Sequence, residues 1–149
     1  MAKSKSNMRQ SGCPIAFTLD AIGDKWSLLI IRDMVFKGRR FYGEFLGAQE
    51  KISTNILANR LKSLEEGNIV RKISDPATPG RNRYELTETG IELVPMLLEV
   101  ILWGVRTDPN TTAPRRLQER LKTDKQTYLA EVLEAVKNGQ AAPFYLADI

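Results

Sequence analysis

Apolar positions recur at helical spacing over most of the chain and give way to strand-type runs only between residues 69 and 86. Ile15 to Ile22 reads as a first helix, opened by Pro14 at a favourable first-turn position and stopped by Gly23. Asp24 can cap a second helix from Lys25 to about Lys37. Its Trp26, Leu28, Leu29, Ile30, Ile31, Met34 and Val35 leave little polar face, so it is expected to be the central buried helix. After the turn Lys37-Gly38-Arg39-Arg40, Phe41 to Leu46 predicts a short helix with Phe41, Phe45 and Leu46 turned inward.

The next helix is the most informative. Ser53 is a good N-cap, although Ile56 stands where a capping box would place Glu or Gln, and Gly67 is a suitable terminator. Placed at about 100° per residue, Leu57, Leu61 and Leu64 form one stripe, and Asn55, Ala58, Asn59 and Lys62 fall on the opposite face. Such a face suits a major groove: Asn bonds adenine bidentately, Lys reaches guanine or phosphate, and Ala permits close approach.

Ile69 to Ile73 and Asn82 to Leu86 are β-type runs joined by a stretch dense in turn formers, Ser74 to Arg81. They predict a hairpin with Ile69, Ile73, Tyr84 and Leu86 on its inner face and Arg71, Arg81 and Arg83 pointing outward near the tip. Thr87 caps a helix from Glu88 to about Val105, where Pro95 is expected to introduce a kink. Asp108 to Pro114 reads as a linker, and a last amphipathic helix spans about Arg115 to Lys137. That helix needs something to bury against; it folds back on its own chain or joins another copy, and the second is expected.

Charge and composition narrow the chemistry. One cysteine, Cys13, and no histidine exclude an intramolecular disulfide, the usual zinc sites and the Ser-His-Asp and Cys-His catalytic sets. No Gly-rich phosphate loop or suggestive carboxylate pair is visible, so neither an enzyme nor a cofactor or metal site is expected. The net charge is only +4, but residues 37 to 83 hold ten basic against five acidic side chains, a local +5. Residues 1–12 read as a flexible basic arm rather than a signal peptide, and no apolar run, Leu28 to Ile31 included, approaches a membrane span. A cytoplasmic protein without membrane contact is expected.

Three helices, the third with a polar outer face, followed by a hairpin with an arginine-bearing tip, is the order of a winged helix-turn-helix. The fold class expected is therefore mainly α with a small β-hairpin. The blocks Cys13-Pro14, Leu19 to Trp26, Leu28 to Asp33, Arg40-Phe41, Ile52-Ser53, Leu57, Arg60-Leu61, Leu64-Glu65, Tyr84 to Thr87 and Gly90 resemble the signature of the HxlR-type family of bacterial transcriptional regulators. The resemblance covers about residues 13 to 104. It implies a homodimeric winged helix-turn-helix DNA-binding regulator, with helices near both ends of residues 13–106 forming the dimer; residues 107–149 would then be a linker and an additional C-terminal helix.

On this reading double-stranded DNA and a second copy of the chain are the partners, and the operator is pseudo-palindromic. Asn55, Asn59 and Lys62 would read bases around Ala58, while Ser53, Thr54, Lys51, Arg39 and Arg40 would hold phosphates and Arg81 and Arg83 would serve the wing. Arg60 either clamps a phosphate or pairs with Glu44 or Glu65. A winged helix used for protein contacts alone is the competing reading. Cys13 stands just before a helix where N–H groups can lower a thiol pKa, an effect to which Lys25 or Arg32 would add if the fold brings them near, and the family resemblance implies it as the candidate redox sensor; the plainer alternative is a small, partly buried residue that packs at the base of the dimer. Phe17, Trp26, Phe36, Met96 and Trp103 are candidates to line an effector pocket, although such stripes are more often core.

Overall fold

A computed structural model describes residues 11–143; of the expected basic arm, residues 1–10 lie outside the described residues. Helices α1 (Pro14–Ile22), α2 (Lys25–Phe36), α3 (Tyr42–Leu46) and α4 (Thr54–Glu66) precede a hairpin of β1 (Val70–Ser74) and β2 (Asn82–Leu86). Helices α5 (Glu88–Ile91), α6 (Val94–Thr107), α7 (Arg115–Thr123) and α8 (Lys125–Lys137) follow.

The core forms where α2 meets the helices after it. Ile31, Met34, Val35 and Phe36 of α2, Phe45 of α3 and Leu57, Leu61 and Leu64 of α4 are all buried in one cluster. Full burial stabilises such side chains by roughly 1.5–3 kcal/mol each, so the leucine stripe alone fixes which side of α4 faces solvent. Asp24 caps α2 by accepting from the Ser27 N–H, as its sequence position predicts. Trp26 is half-buried against the same core.

The hairpin register corrects the expected inner face. Val70 pairs with Leu86, Lys72 with Tyr84 and Ile73 with Arg83, so Ile73 shares a face with Arg71, Arg83 and Glu85 rather than with Tyr84 and Leu86. Val70, buried to 1%, takes the inner position, and Ile69 packs beneath it just before the strand begins. The Tyr84 N–H donates to the Arg40 carbonyl at 2.7 Å, and the Phe45 and Tyr84 rings meet edge to face. These contacts fasten the hairpin to the segment leading into α3.

Pro95 does not kink a continuous helix. The helix stops at Ile91 and a new one starts at Val94, with Pro95 in its first turn, where a missing N–H costs nothing. Gly90 allows α5 to lie directly on the hairpin, since a Cβ there would meet the Ile69 carbonyl oxygen at 2.2 Å.

The C-terminal segment is likewise two helices. Asp124, at φ −146° and ψ 36°, breaks them apart, and its carboxylate turns back to Arg120 at 3.0 Å instead of capping α8. Both helices fold onto their own chain, against α5 and α6, correcting the expectation that this segment seeks another copy. Leu117, Leu121, Tyr128 and Val132 are almost fully buried within one subunit. The Tyr128 hydroxyl donates to the Pro143 carbonyl and the Ala142 N–H to the Val35 carbonyl, tying the tail to α8 and to the end of α2.

Three helices and the hairpin after them make a winged helix-turn-helix, with α4 as the helix presented and the hairpin as the wing.

Candidate nucleic-acid interface

Helix α4 is set by its first turn and by its apolar stripe. The Ser53 hydroxyl accepts from the Ile56 N–H at 3.3 Å, and the Tyr42 hydroxyl of α3 donates to the Thr54 carbonyl at 2.9 Å. With Leu57, Leu61 and Leu64 buried, Asn55, Ala58, Asn59 and Lys62 are all exposed, as are Lys51, Ser53 and Thr54 at the helix entrance. The structure therefore brings these seven residues to one surface.

The loop before α4 is held by an ion network. Arg32 grips Glu50 with both terminal nitrogens, Nη2 to Oε2 at 3.1 Å, and also contacts the Asp33 carboxylate. The hydrogen bonds from Arg32 hold the Glu50 carboxyl at about 2, well below its ordinary value, against the opposing effect of burial. Lys51 follows in the left-handed region at φ 57°, with its side chain exposed. The role of Glu50 was silent in the sequence because its partner Arg32 stands eighteen residues away, and that of Asp33 because Arg39 reaches it only across the turn after α2.

The remaining cations expected at phosphates are engaged within the fold. Arg39 Nη1 donates to Asp33 Oδ2 at 2.9 Å, and Asp33 is buried to 2%. Arg40 Nη1 donates to the carbonyls of Met34 and Arg39, and burial pulls its pKa below the usual value. Arg60 pairs with neither Glu44 nor Glu65. Its Nη1 lies 3.6 Å from Asp24 Oδ1, and Glu44 accepts instead from the N–H groups of Arg40 and Phe41.

In the wing, Asp75 organises the tip: its carboxylate accepts from the Ala77 N–H and its own N–H donates to the Arg81 carbonyl. Arg81 is exposed, with its guanidinium carbon 3.5 Å from the centre of the Phe41 ring. Arg71 and Arg83 both pair with Glu85 at 3.0 Å, so the two are less free than the sequence suggests. Lys72, which the reading of the sequence left without a role, is exposed and borders a notch with Arg81, Asn82 and Tyr42.

Cys13 is exposed at the N-cap of α1 within the single chain. Of its expected cationic neighbours, Arg32 is held by Asp33 and Glu50, and Lys25 lies over the Trp26 ring. The five residues considered for an effector pocket are dispersed. Phe36 is fully buried, Phe17 and Trp103 are exposed, and Trp26 and Met96 line separate cavities. Exposed apolar side chains instead cluster by element: Ile15, Phe17 and Leu19 on α1, Val100 and Trp103 on α6. Among the described residues there is no group of three or more potential metal ligands and no helix long and apolar enough to cross a membrane.

Comparison with known proteins agrees with this geometry. The HxlR-like helix-turn-helix profile matches residues 21–112. The HTH-type transcriptional regulator sll1512 of Synechocystis sp. is 40% identical over 86 residues, which cover 58% of this chain and 63% of that relative, less than two thirds of its length. The crystal structure of PA1607 superposes with a TM-score of 0.64 at 36% identity, covering 71% of this chain and 74% of that one. The redox regulator HypR in its oxidised form gives 0.58 at 34%, covering 64% and 97%. The activities named in these matches are regulatory rather than enzymatic, in line with the catalytic sets that the composition excludes. Family profile, fold and exposed α4 face thus converge, and the chain belongs to the HxlR-like helix-turn-helix family.

Proposed function

We propose that the protein is a sequence-specific DNA-binding transcriptional regulator that works as a homodimer on a pseudo-palindromic operator. The observation that carries this is the outer face of α4: Asn55, Ala58, Asn59 and Lys62 are exposed together while the leucines behind them are buried. That face reads bases in the major groove. Lys51, Ser53 and Thr54 stand at its entrance and Arg81 on the wing, where phosphates of the flanking backbone would pass. Because Arg39 and Arg40 are bonded to the fold, phosphate binding falls to these groups and to Lys62.

The second copy seats on the apolar side chains that α1 and α6 leave exposed, Ile15, Phe17, Leu19, Val100 and Trp103. Two recognition helices then face successive major grooves about 34–36 Å apart. An oxidant is the favoured input, because Cys13 is exposed at the N-cap of the helix that would carry the dimer and a structural neighbour is a redox regulator. The five-residue effector pocket has no support in the geometry.

DNA selected from a random pool, titrated by mobility shift at rising salt, tests the reading. Affinity is expected to fall by roughly 0.9 log units per log unit of salt for each neutralised phosphate. A flat salt response, or no enriched sequence, overturns it in favour of a module for protein contacts.

A further inference from the structure

The carboxylate that closes the corner between α1 and α2 also meets the recognition helix. Gly23 ends α1, and a Cβ there would stand 2.4 Å from the Leu19 carbonyl oxygen, so glycine allows the chain to turn without delay. Asp24 comes next, in extended backbone, and caps α2: Oδ2 accepts from the Ser27 N–H at 2.9 Å and Oδ1 from the Ser27 hydroxyl at 2.6 Å. Ser27 is fully buried, which holds this carboxylate in one place. Arg60 of α4 brings Nη1 to 3.6 Å from the same Oδ1, and its Nε is buried with no partner.

We propose that Arg60 is a positioning residue and not a phosphate contact: anchored on Asp24, it sets the roll and pitch of the recognition helix against the α1–α2 corner. The inference rests on the DNA-binding reading above. Its physical basis is directionality. The leucine stripe of α4 settles which side faces the core, but apolar burial is non-directional and leaves the finer roll and pitch to be fixed. Orientation comes from polar contacts with other helices, and two are in place: Tyr42 to the Thr54 carbonyl in the first turn, and Asp24 to Arg60 six residues later. Six residues of helix span about 9 Å, so the two tethers define both a tilt and a rotation. Burial works to raise the Asp24 carboxyl, but the hydrogen bonds from Ser27 and the charge of Arg60 outweigh it and keep the group below the usual carboxylate value. The pair is charged at neutral pH. Since α1 carries the exposed Ile15, Phe17 and Leu19 and ends at this corner, the pair also relates the recognition helix to the surface proposed for the second copy.

The test uses the full chain with Arg60→Gln, Arg60→Lys, Asp24→Asn and the Asp24→Asn/Arg60→Gln double variant. Each is titrated against the selected DNA and against versions whose half-sites are moved one base pair closer or further apart. Arg60→Gln is expected to lower affinity about two- to fivefold, the range an exposed ion pair supports. It is also expected to flatten the preference among spacings and leave the salt slope unchanged. Asp24→Asn should do the same, the double variant should lose no more than the worse single one, and Arg60→Lys should recover part of the loss. A salt slope shallower by about one with spacing preference intact identifies a phosphate contact and overturns the proposal. So do additive losses, or an equal fractional loss on every DNA. Because Asp24→Asn also weakens the cap of α2, Arg60→Gln, which leaves Ser27 and Asp24 together, is the reference. Should the unaltered chain select no sequence, the operator reading falls, and the pair is judged by the same cycle in urea unfolding, where additive losses overturn it.

Discussion

The guanidinium of Arg39 lies 2.9 Å from the carboxylate of Asp33, a side chain with 2% of its surface exposed. An acid so placed depends on its cations, and Arg39 and Arg32 supply them from two directions. Arg39→Ala removes one of the two arginine ion pairs of Asp33, and the expected cost is about 1–3 kcal/mol, read as a lower urea midpoint with an unchanged slope. DNA binding by the fraction that remains folded should be nearly unaltered. A stable Arg39→Ala chain with weakened DNA affinity would instead return this residue to the phosphates.

Acid should act on the adjoining pair first. Arg32 holds Glu50 at about 2, below its ordinary value of 4.5, so the ionised form favours the folded state. That contribution is complete above pH 4.5 and is lost as pH falls toward 2. Urea unfolding at steps between pH 7 and 3 should therefore show stability declining below about 4.5. Glu50→Gln, less stable at neutral pH, should decline less over the same window. An identical pH profile in the variant contradicts the assignment.

How much of this was legible in the sequence depends on the range of the interactions. The two faces of α4 followed from the 3.6-residue period alone, because Leu57, Leu61 and Leu64 lie on one turn-to-turn line and nothing distant competes for them. The parity of the hairpin did not. Ile69 and Ile73 share a parity, but the register pairs Val70 with Leu86, and only the packing of the hairpin on the helices selects that. Pro95 was recognised as a disruption, yet whether it kinks a helix or begins one depends on where Gly90 lets the preceding turn dock. The state of Arg39, Arg40 and Arg60 was the least legible part of the site. A basic residue in a basic stretch looks free until the fold shows Asp33, the Met34 carbonyl and Asp24 beside it.

Base reading by α4 predicts a loss of discrimination rather than of all binding. Asn55→Ala together with Asn59→Ala removes two exposed amides that support nothing in the core. A bidentate Asn contact is worth roughly 1–3 kcal/mol of discrimination, so the preference for selected over random DNA should drop at least about tenfold. The salt slope and sedimentation behaviour should stay as they were. Undiminished preference in the double variant would remove these residues from base reading.

Self-association through α6 predicts that a charge at Trp103 is tolerated by the subunit and not by the assembly. Trp103 is 69% exposed, so Trp103→Glu should leave the unfolding midpoint close to that of the unaltered chain when both are compared at concentrations low enough to be monomeric. Buried aromatic anchors at interfaces commonly contribute 2 kcal/mol or more, and sedimentation equilibrium should show association weakened at least about thirtyfold. Operator affinity should fall with it.

Oxidant sensing has a sharper requirement, because Cys13 is the only thiol in the chain. Any disulfide it forms joins two subunits or captures a small external thiol, and both are visible: a dimer band on a non-reducing gel, or a mass increase of the single chain. Diamide treatment, with and without added glutathione as the small thiol, should produce one of these together with a change in operator affinity, and Cys13→Ser should bind the operator normally while losing both responses. Exposure at the N-cap of α1 gives the thiol the access this chemistry needs. If Cys13→Ser, which has no thiol left, still changes its DNA binding under diamide, the response does not pass through this residue and the sensing role is overturned.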